Sequence, residues 1–396
     1  MHWRSTTCMR PRRKWVSRTC SSERSQRRVR AERDVMSPRR PAPLQPPPRS
    51  TERSKIRSAT PTPPCPSPSR RFATGSRSPP PAGSEAGHDG PMRIGINGSG
   101  LIATGAPVGQ ITEHAAQAEA DGFSSYWLAQ LAVPDALTAI ATMGEATSSI
   151  EIGTAVVPTW FRHPLMLAAQ AVTVQQIIGP RLALGIGLAH KLSVEATLRI
   201  PFATPAKHMD EYLSVLLPAM TDGSVDVTGD IWSGFTEGAP PAEGPPTVLL
   251  AAMGPRMLQL AGSRCAGTIL WLSGPKVIAE RIKPAVDAAA AEAGRPTPRI
   301  VASVPVCVTD DADGVKEMVG AFLAGYNDLP SYRGVMDAEG AGGPADVSVI
   351  GDEATVRAGI AAFAEAGATD FAPVEIGLAE RDQVATRDLL KELAAG

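Results

Sequence analysis

The 396-residue chain is 43% hydrophobic and 20% charged, proportions ordinary for a folded globular protein. No apolar run approaches the ~18 residues that a membrane-spanning helix needs, which excludes a helical membrane protein. The net charge of −1 conceals a segregation: residues 1–91 hold 20 of the 39 basic side chains and 6 of the 40 acidic ones, leaving 19 basic and 34 acidic residues after them.

Residues 1–91 are rich in Arg, Pro and Ser, with the runs Pro46-Pro47-Pro48 and Pro79-Pro80-Pro81 and almost no apolar periodicity. Such a segment cannot bury enough surface to offset its ordering entropy, so disorder is expected there. A nucleic-acid or lipid-binding tail would need a helical or aromatic-interleaved basic pattern, which is missing. An Arg-rich, acid-poor start also resembles a transit peptide, whereas the twin arginines Arg12-Arg13 lack the apolar stretch of an export signal. A start of translation at Met92 is favoured, because the residues after it open the first strand. The division expected is therefore 1–91 as tail and 92–396 as one folded domain.

From Met92 onward, strand-like and helical stretches alternate. Strands are predicted at 93–97, 123–128, 150–157, 181–186, 247–252, 267–272, 300–308 and 370–375. Helices are predicted at 108–121, 134–147, 163–178, from Pro255, and at 276–293, 311–328, 353–366 and 379–394. Repeated β-then-α units imply parallel strands with crossover helices, and eight of them over about 300 residues favour a closed α/β barrel, the (β/α)8 TIM fold, over an open sheet. One interval breaks the rhythm. Residues 188–246 are too long for a simple connection and hold a helix near 206–220, so an insertion after strand four is expected above the barrel.

Active sites of such barrels lie at the C-terminal ends of the strands. That rule selects Asn97 to Gly100, Ala129-Gln130, Ala155 to Trp160, Gly187 to His190, Ala252 to Pro255, and Trp271 to Ser273. Gly185-Ile186-Gly187 allows either a close ligand or tight packing. Ala251-Ala252-Met253-Gly254-Pro255 is either an ordinary turn or a phosphate-binding helix start. His190 has the best position for acid/base work, His208 can line the entrance or sit on a helix surface, His163 is a ligand contact or part of a turn, and His114 reads as a surface residue. No GxGxxG, Walker sequence, CxxC or HExxH occurs, so Rossmann, P-loop and metal sites are not supported. Cys265 and Cys307 are too far apart to make a disulfide framework, which fits a cytoplasmic enzyme.

The run Glu151-Ile152-Gly153-Thr154-Ala155-Val156-Val157-Pro158, continuing to Arg162-His163-Pro164-Leu165, resembles strand three of bacterial luciferase-like oxidoreductases. Gln170, Gln175 and Gln176, then Gly179-Pro180-Arg181-Leu182-Ala183-Leu184-Gly185-Ile186-Gly187, Ala252 to Met257, and Leu329 to Arg333 extend the resemblance in order over nearly all of 92–396. The branch it most resembles uses the deazaflavin coenzyme F420. The resemblance implies a hydride-transfer enzyme acting on a small organic substrate, with a non-prolyl cis peptide near Ala155-Val156 backing the ring. It further implies cofactor contacts at Gln130, Ala155, Val156, Gly187, His190, Ala252, Met253, Gly254 and Pro255. His190 and His208 are the catalytic candidates. Where many relatives carry an acidic residue and His after strand two, this chain reads Trp127-Leu128-Ala129-Gln130-Leu131, and the acid/base roles of that pair do not carry over. Two alternatives share the fold: an FMN-dependent monooxygenase using oxygen, and a non-catalytic flavin-binding barrel. A homodimer is implied only by analogy with relatives that pair through barrel helices.

Overall fold

The structure, a computed structural model, describes residues 90–131, 133–238 and 244–396. The expectation of disorder over 1–91 falls almost wholly outside them, as do Cys8, Cys20 and Cys65. Eight strands form the barrel: β1 (Arg93–Ile94 and Ile96–Asn97), β2 (Ser125–Leu128), β3 (Glu151–Thr154, resumed at Val157–Pro158), β4 (Leu182–Gly187), β5 (Thr247–Leu250), β6 (Gly267–Trp271), β7 (Arg299–Ser303 and Pro305–Val308) and β8 (Asp370–Phe371 and Val374–Glu375). Each pairs in parallel with the next. Arg93 and Ile94 also pair with Asp370 and Phe371, while Ile96 and Asn97 pair with Tyr126 and Trp127. The sheet therefore closes on itself, as the expected (β/α)8 barrel.

Period-two alternation gives every strand an inner and an outer face. Outward residues such as Ile96, Leu128, Ile152, Leu184, Leu250 and Leu270 join the apolar sides of the helices in one large core. Inside the barrel Trp127, Ala183, Leu249, Ile269, Val301 and Ala372 make a second, smaller one. Trp127 is its largest member and is fully buried, with its indole N–H donated to Ser125 Oγ at 2.9 Å. The neighbouring strand must yield to it: a Cβ on Gly153 would lie 2.3 Å from the indole ring.

At the N-terminal end of the barrel, the inward positions one layer below are charged. Arg299 Nη2 donates to Glu151 Oε1 and to Asp370 Oδ1, both at 2.9 Å, and Arg93 pairs with Asp370 as well. Thr369 Oγ1 completes the set at 2.7 Å from Asp370 Oδ2. Burial works against the Asp370 charge, but Arg299 and Arg93 outweigh it and hold the carboxyl below its usual range.

The boundaries differ from the expected ones where capping decides them. The second helix is shorter than 134–147: Asp135 accepts a hydrogen bond from Thr138 N, and the helix runs Ala136–Met143. The helix expected over 311–328 stops at Phe322 and gives way to a 3-10 turn, Ala324–Asp328. A further helix, Pro330–Glu339, and a strand, Val349–Gly351, beside Val306–Val308 of β7 were not expected. The insertion after β4 holds the expected helix, Pro205–Thr221, and an antiparallel hairpin of Val225–Val227 and Gly234–Thr236. Among the described residues no helix is long and apolar enough to cross a membrane.

Candidate active site at the barrel mouth

The mouth is built from the segments just beyond the C-terminal ends of β3, β4 and β5. Ala155 N donates to Leu128 O at 2.7 Å and Gln130 N donates to Val156 O at 3.2 Å. The chain beyond β2 thus grips both sides of the Ala155–Val156 peptide bond, which is cis, at the place the resemblance implied. β3 resumes at Val157 and Pro158 against Ile186 and Gly187. Gly187 packs so tightly there that a Cβ would come 2.7 Å from Val156 Cγ2 and 3.1 Å from Ala251 Cβ. Ala155, Val156, Gly187 and Ala251 therefore form a wall with no side chain longer than valine. Gly185 resolves differently: a Cβ there would strike Thr154 O at 2.0 Å, so it serves packing between strands.

Beside this wall starts the helix Pro255–Arg264, whose N-terminus has no side-chain cap. A Cβ on Gly254 would meet nothing within 4 Å, so the first N–H groups of the helix are not crowded by Gly254. Ala252 is buried in the large core, whereas Met253 is half-buried and Gly254 and Pro255 are exposed. Gln130 uses its side chain locally, with Oε1 accepting from Ala136 N at 2.8 Å.

His190 lies three residues beyond β4 and is half-buried. Its ring meets Tyr332 and Tyr326 edge-on, with centroids 5.6 and 6.0 Å away. Burial pushes its pKa down, which favours the neutral imidazole. Both tyrosines come from the excursion after β7 that holds the unexpected helix, and neither was singled out as a neighbour of His190 from the sequence.

His208 is not on a helix surface; it has no exposed area at all. Trp232 donates its indole N–H to His208 Nδ1 at 3.2 Å, which leaves the proton on Nε2, 2.9 Å from Thr159 Oγ1. Thr159 in turn donates to Gly187 O at 3.2 Å. Trp160 stacks on the imidazole at 3.7 Å. The chain of bonds ties the insertion helix to the small-residue wall and occupies both ring nitrogens. Burial lowers the His208 pKa from 6.5 to about 4. The unfolded chain therefore takes up a proton below pH 6.5 that the folded one refuses. This contribution to stability is complete above pH 6.5 and is lost as pH falls toward 4, to a total of about 3 kcal/mol. In urea titrations at pH 7.5 and 5, His208→Gln is expected to lose less stability on acidification than the parent chain; equal losses would show that His208 protonates freely in the fold.

The remaining histidines among the described residues have structural partners. His163 caps the helix Pro164–Ile178, with Nδ1 accepting from Leu165 N at 3.2 Å and Nε2 donating to Ser233 O at 3.0 Å. His114, expected at the surface, is held between Tyr126 and Arg387, and burial drives its pKa down to about 4.

Residues 92–370 match the family of luciferase-like monooxygenases. A 5,10-methylenetetrahydromethanopterin reductase of Methanolobus tindarius is 28% identical over 239 residues, which cover 58% of this chain and 72% of that protein. Among solved structures, the coenzyme F420-dependent tetrahydromethanopterin reductase of Methanopyrus kandleri has a TM-score of 0.65 at 20% identity, covering 76% of this chain and 98% of the other. The FMN complex of the oxygenating constituent of a 3,6-diketocamphane monooxygenase from Pseudomonas putida reaches 0.61 at 20%, covering 76% and 96%. Structural likeness at such identities carries the fold; the family match carries more, since it runs from β1 to β8 through the whole mouth. The chain belongs to the luciferase-like monooxygenase family and is an oxidoreductase of it.

Proposed function

We propose that this oxidoreductase uses coenzyme F420 and moves a hydride between the deazaflavin and a small organic substrate. The observation that carries this reading is the flat wall of Ala155, Val156, Gly187 and Ala251 beside the uncapped helix start at Gly254-Pro255. Small side chains let a planar ring lie against the backbone, and free N–H groups at a helix start suit its anionic end. The residues present therefore fit such a group. Ala155, Val156 and Gly187 would hold the ring, and Met253, Gly254 and Pro255 its phosphate end.

Four basic side chains on the segments that follow β4, β5 and β6 support the longer, more anionic deazaflavin over FMN. Lys191, Arg199, Arg256 and Lys276 are exposed and have no carboxylate partner among the described residues. They follow β4, β5 and β6 in a folded domain with 34 acidic and 19 basic residues. Among the relatives named above, the Methanopyrus kandleri enzyme is F420-dependent and the Pseudomonas putida enzyme binds FMN.

When bound, the deazaflavin supplies the two-electron chemistry. The chain supplies the rest. His190, neutral and at the mouth, gives or takes the proton at a substrate heteroatom. His208 acts as a positioning residue, because its two nitrogens are committed to Trp232 and Thr159. Parallel fluorescence titrations of the full chain with F420 and FMN test the cofactor. F420 is expected to bind at least ten-fold more tightly. A preference for FMN would replace this reading with an oxygen-using monooxygenase, and binding of neither would remove the cofactor assignment.

A further inference from the structure

The excursion after β7 brings aromatic rings to the mouth that no strand end supplies. Tyr326 and Tyr332 pack edge-on with centroids 4.7 Å apart, and each meets His190 within 6.0 Å. Trp271, the last residue of β6, packs in the same cluster as both tyrosines. The group therefore links the residues after β4 to the end of β6, the strands on either side of β5 in the sheet.

Its polar tips are left open. An indole N–H can only donate, so Trp271 beside Tyr326 offers no acceptor for the tyrosine's own proton. Burial raises the pKa values of Tyr326 and Tyr332, so both remain phenols and hydrogen-bond donors. Among the described residues no acceptor takes the Tyr326 or Tyr332 proton, no side chain bonds to a nitrogen of His190, and no carboxylate pairs with any of the three. The neighbouring Arg333 is engaged elsewhere, with Asp337 and the carbonyls of Ala341 and Gly342.

We infer that His190, Trp271, Tyr326 and Tyr332 form the substrate subsite, and that it takes an uncharged, flat, conjugated or aryl carbonyl compound whose oxygen accepts from Tyr326. Aromatic walls favour a flat apolar body, and unpartnered donors without a neighbouring carboxylate favour an uncharged acceptor over a cation. The inference rests on the oxidoreductase reading for the substrate's role, but the subsite itself needs no cofactor. Tyr326 is a specificity-determining residue through that one hydrogen bond.

The test uses the full chain without cofactor and acetophenone as the probe. His190 ring signals are followed by NMR and assigned with His190→Gln. Acetophenone is expected to shift the His190 resonance saturably, and to bind about five-fold more weakly to Tyr326→Phe, which keeps the ring and loses the hydroxyl. Ethylbenzene, with the same ring and no oxygen, is expected to bind equally to parent and Tyr326→Phe chains. Tyr332→Phe, which keeps its packing, provides a second variant and is expected to retain the acetophenone shift. An unmoved His190 resonance, a Tyr326→Phe chain with parental acetophenone affinity, or tighter binding of benzyltrimethylammonium than of acetophenone would each overturn the assignment. A failed F420 titration with the acetophenone response intact would remove the cofactor reading and leave the subsite standing.

Discussion

Replacing Asp370 with alanine is expected to lower the unfolding free energy by about 3 kcal/mol, the largest stability loss anticipated for a single polar side chain in this barrel. The carboxylate is 1% exposed and accepts from two guanidinium groups, those of Arg93 and Arg299. Truncation leaves Arg299, half-buried, with Glu151 as its remaining anion and gives Arg93 only the longer contact to Glu151 at 3.8 Å. The cost falls mainly on Arg299, which loses one of its two carboxylates, because Arg93 is 30% exposed and can be solvated. Urea unfolding at pH 7 measures it. A loss under 1 kcal/mol would mean that water reaches the bottom of the barrel and solvates both arginines.

The second large effect concerns activity. On the proposed reading, His190→Ala is expected to cut kcat by roughly 10²–10³-fold, the range for removing a positioned proton-transfer group. Cofactor affinity should change little, since the wall of Ala155, Val156 and Gly187 is untouched. The imidazole pKa is lowered by burial, so the parent's rate should depend on a group titrating below the ordinary histidine value, and the variant should lose that limb of the profile. Turnover at the parental rate with cofactor bound would pass the proton-moving role to Tyr326 or Tyr332, whose phenols stand at the same end of the barrel.

Much of the architecture was legible because barrel strands carry local signals. Ile150 to Val157 and Ile300 to Val308 are apolar runs of strand length, and the positions of glycines and prolines mark where the helices between them stop. Closure of the sheet is a long-range fact, inferred from the number of units and supplied by the pairing of Arg93–Ile94 with Asp370–Phe371. Readings failed where charge masked periodicity. A helix surface was one of two alternatives for His208, which has Lys207, Asp210 and Glu211 beside it, although His208, Tyr212 and Val215 or Leu216 follow helical spacing and all are buried. The same spacing places His114 beside Ile111 and Ala118, on the buried flank of its helix.

The aromatic cluster at the mouth left no such trace. His190 and Tyr326 are 136 positions apart, and an edge-on ring contact makes no pattern along either segment. Helix Pro330–Glu339 was missed because Ser331, Arg333, Gly334 and Asp337 dilute its apolar face, which buries only Val335 and Met336. The small-residue wall was half legible. Gly187 marked close approach, but what approaches it, Val156 and Ala251, depends on how three strands are aligned.

The charged layer of Arg93, Glu151, Arg299 and Asp370, with Trp127 above it, has a consequence for traffic as well as stability. It stoppers one end of the barrel, so on the proposed reading ligands reach the wall from the opposite end. On that same reading a ring held against the wall arrives before the substrate that covers it, and leaves only after that substrate has gone.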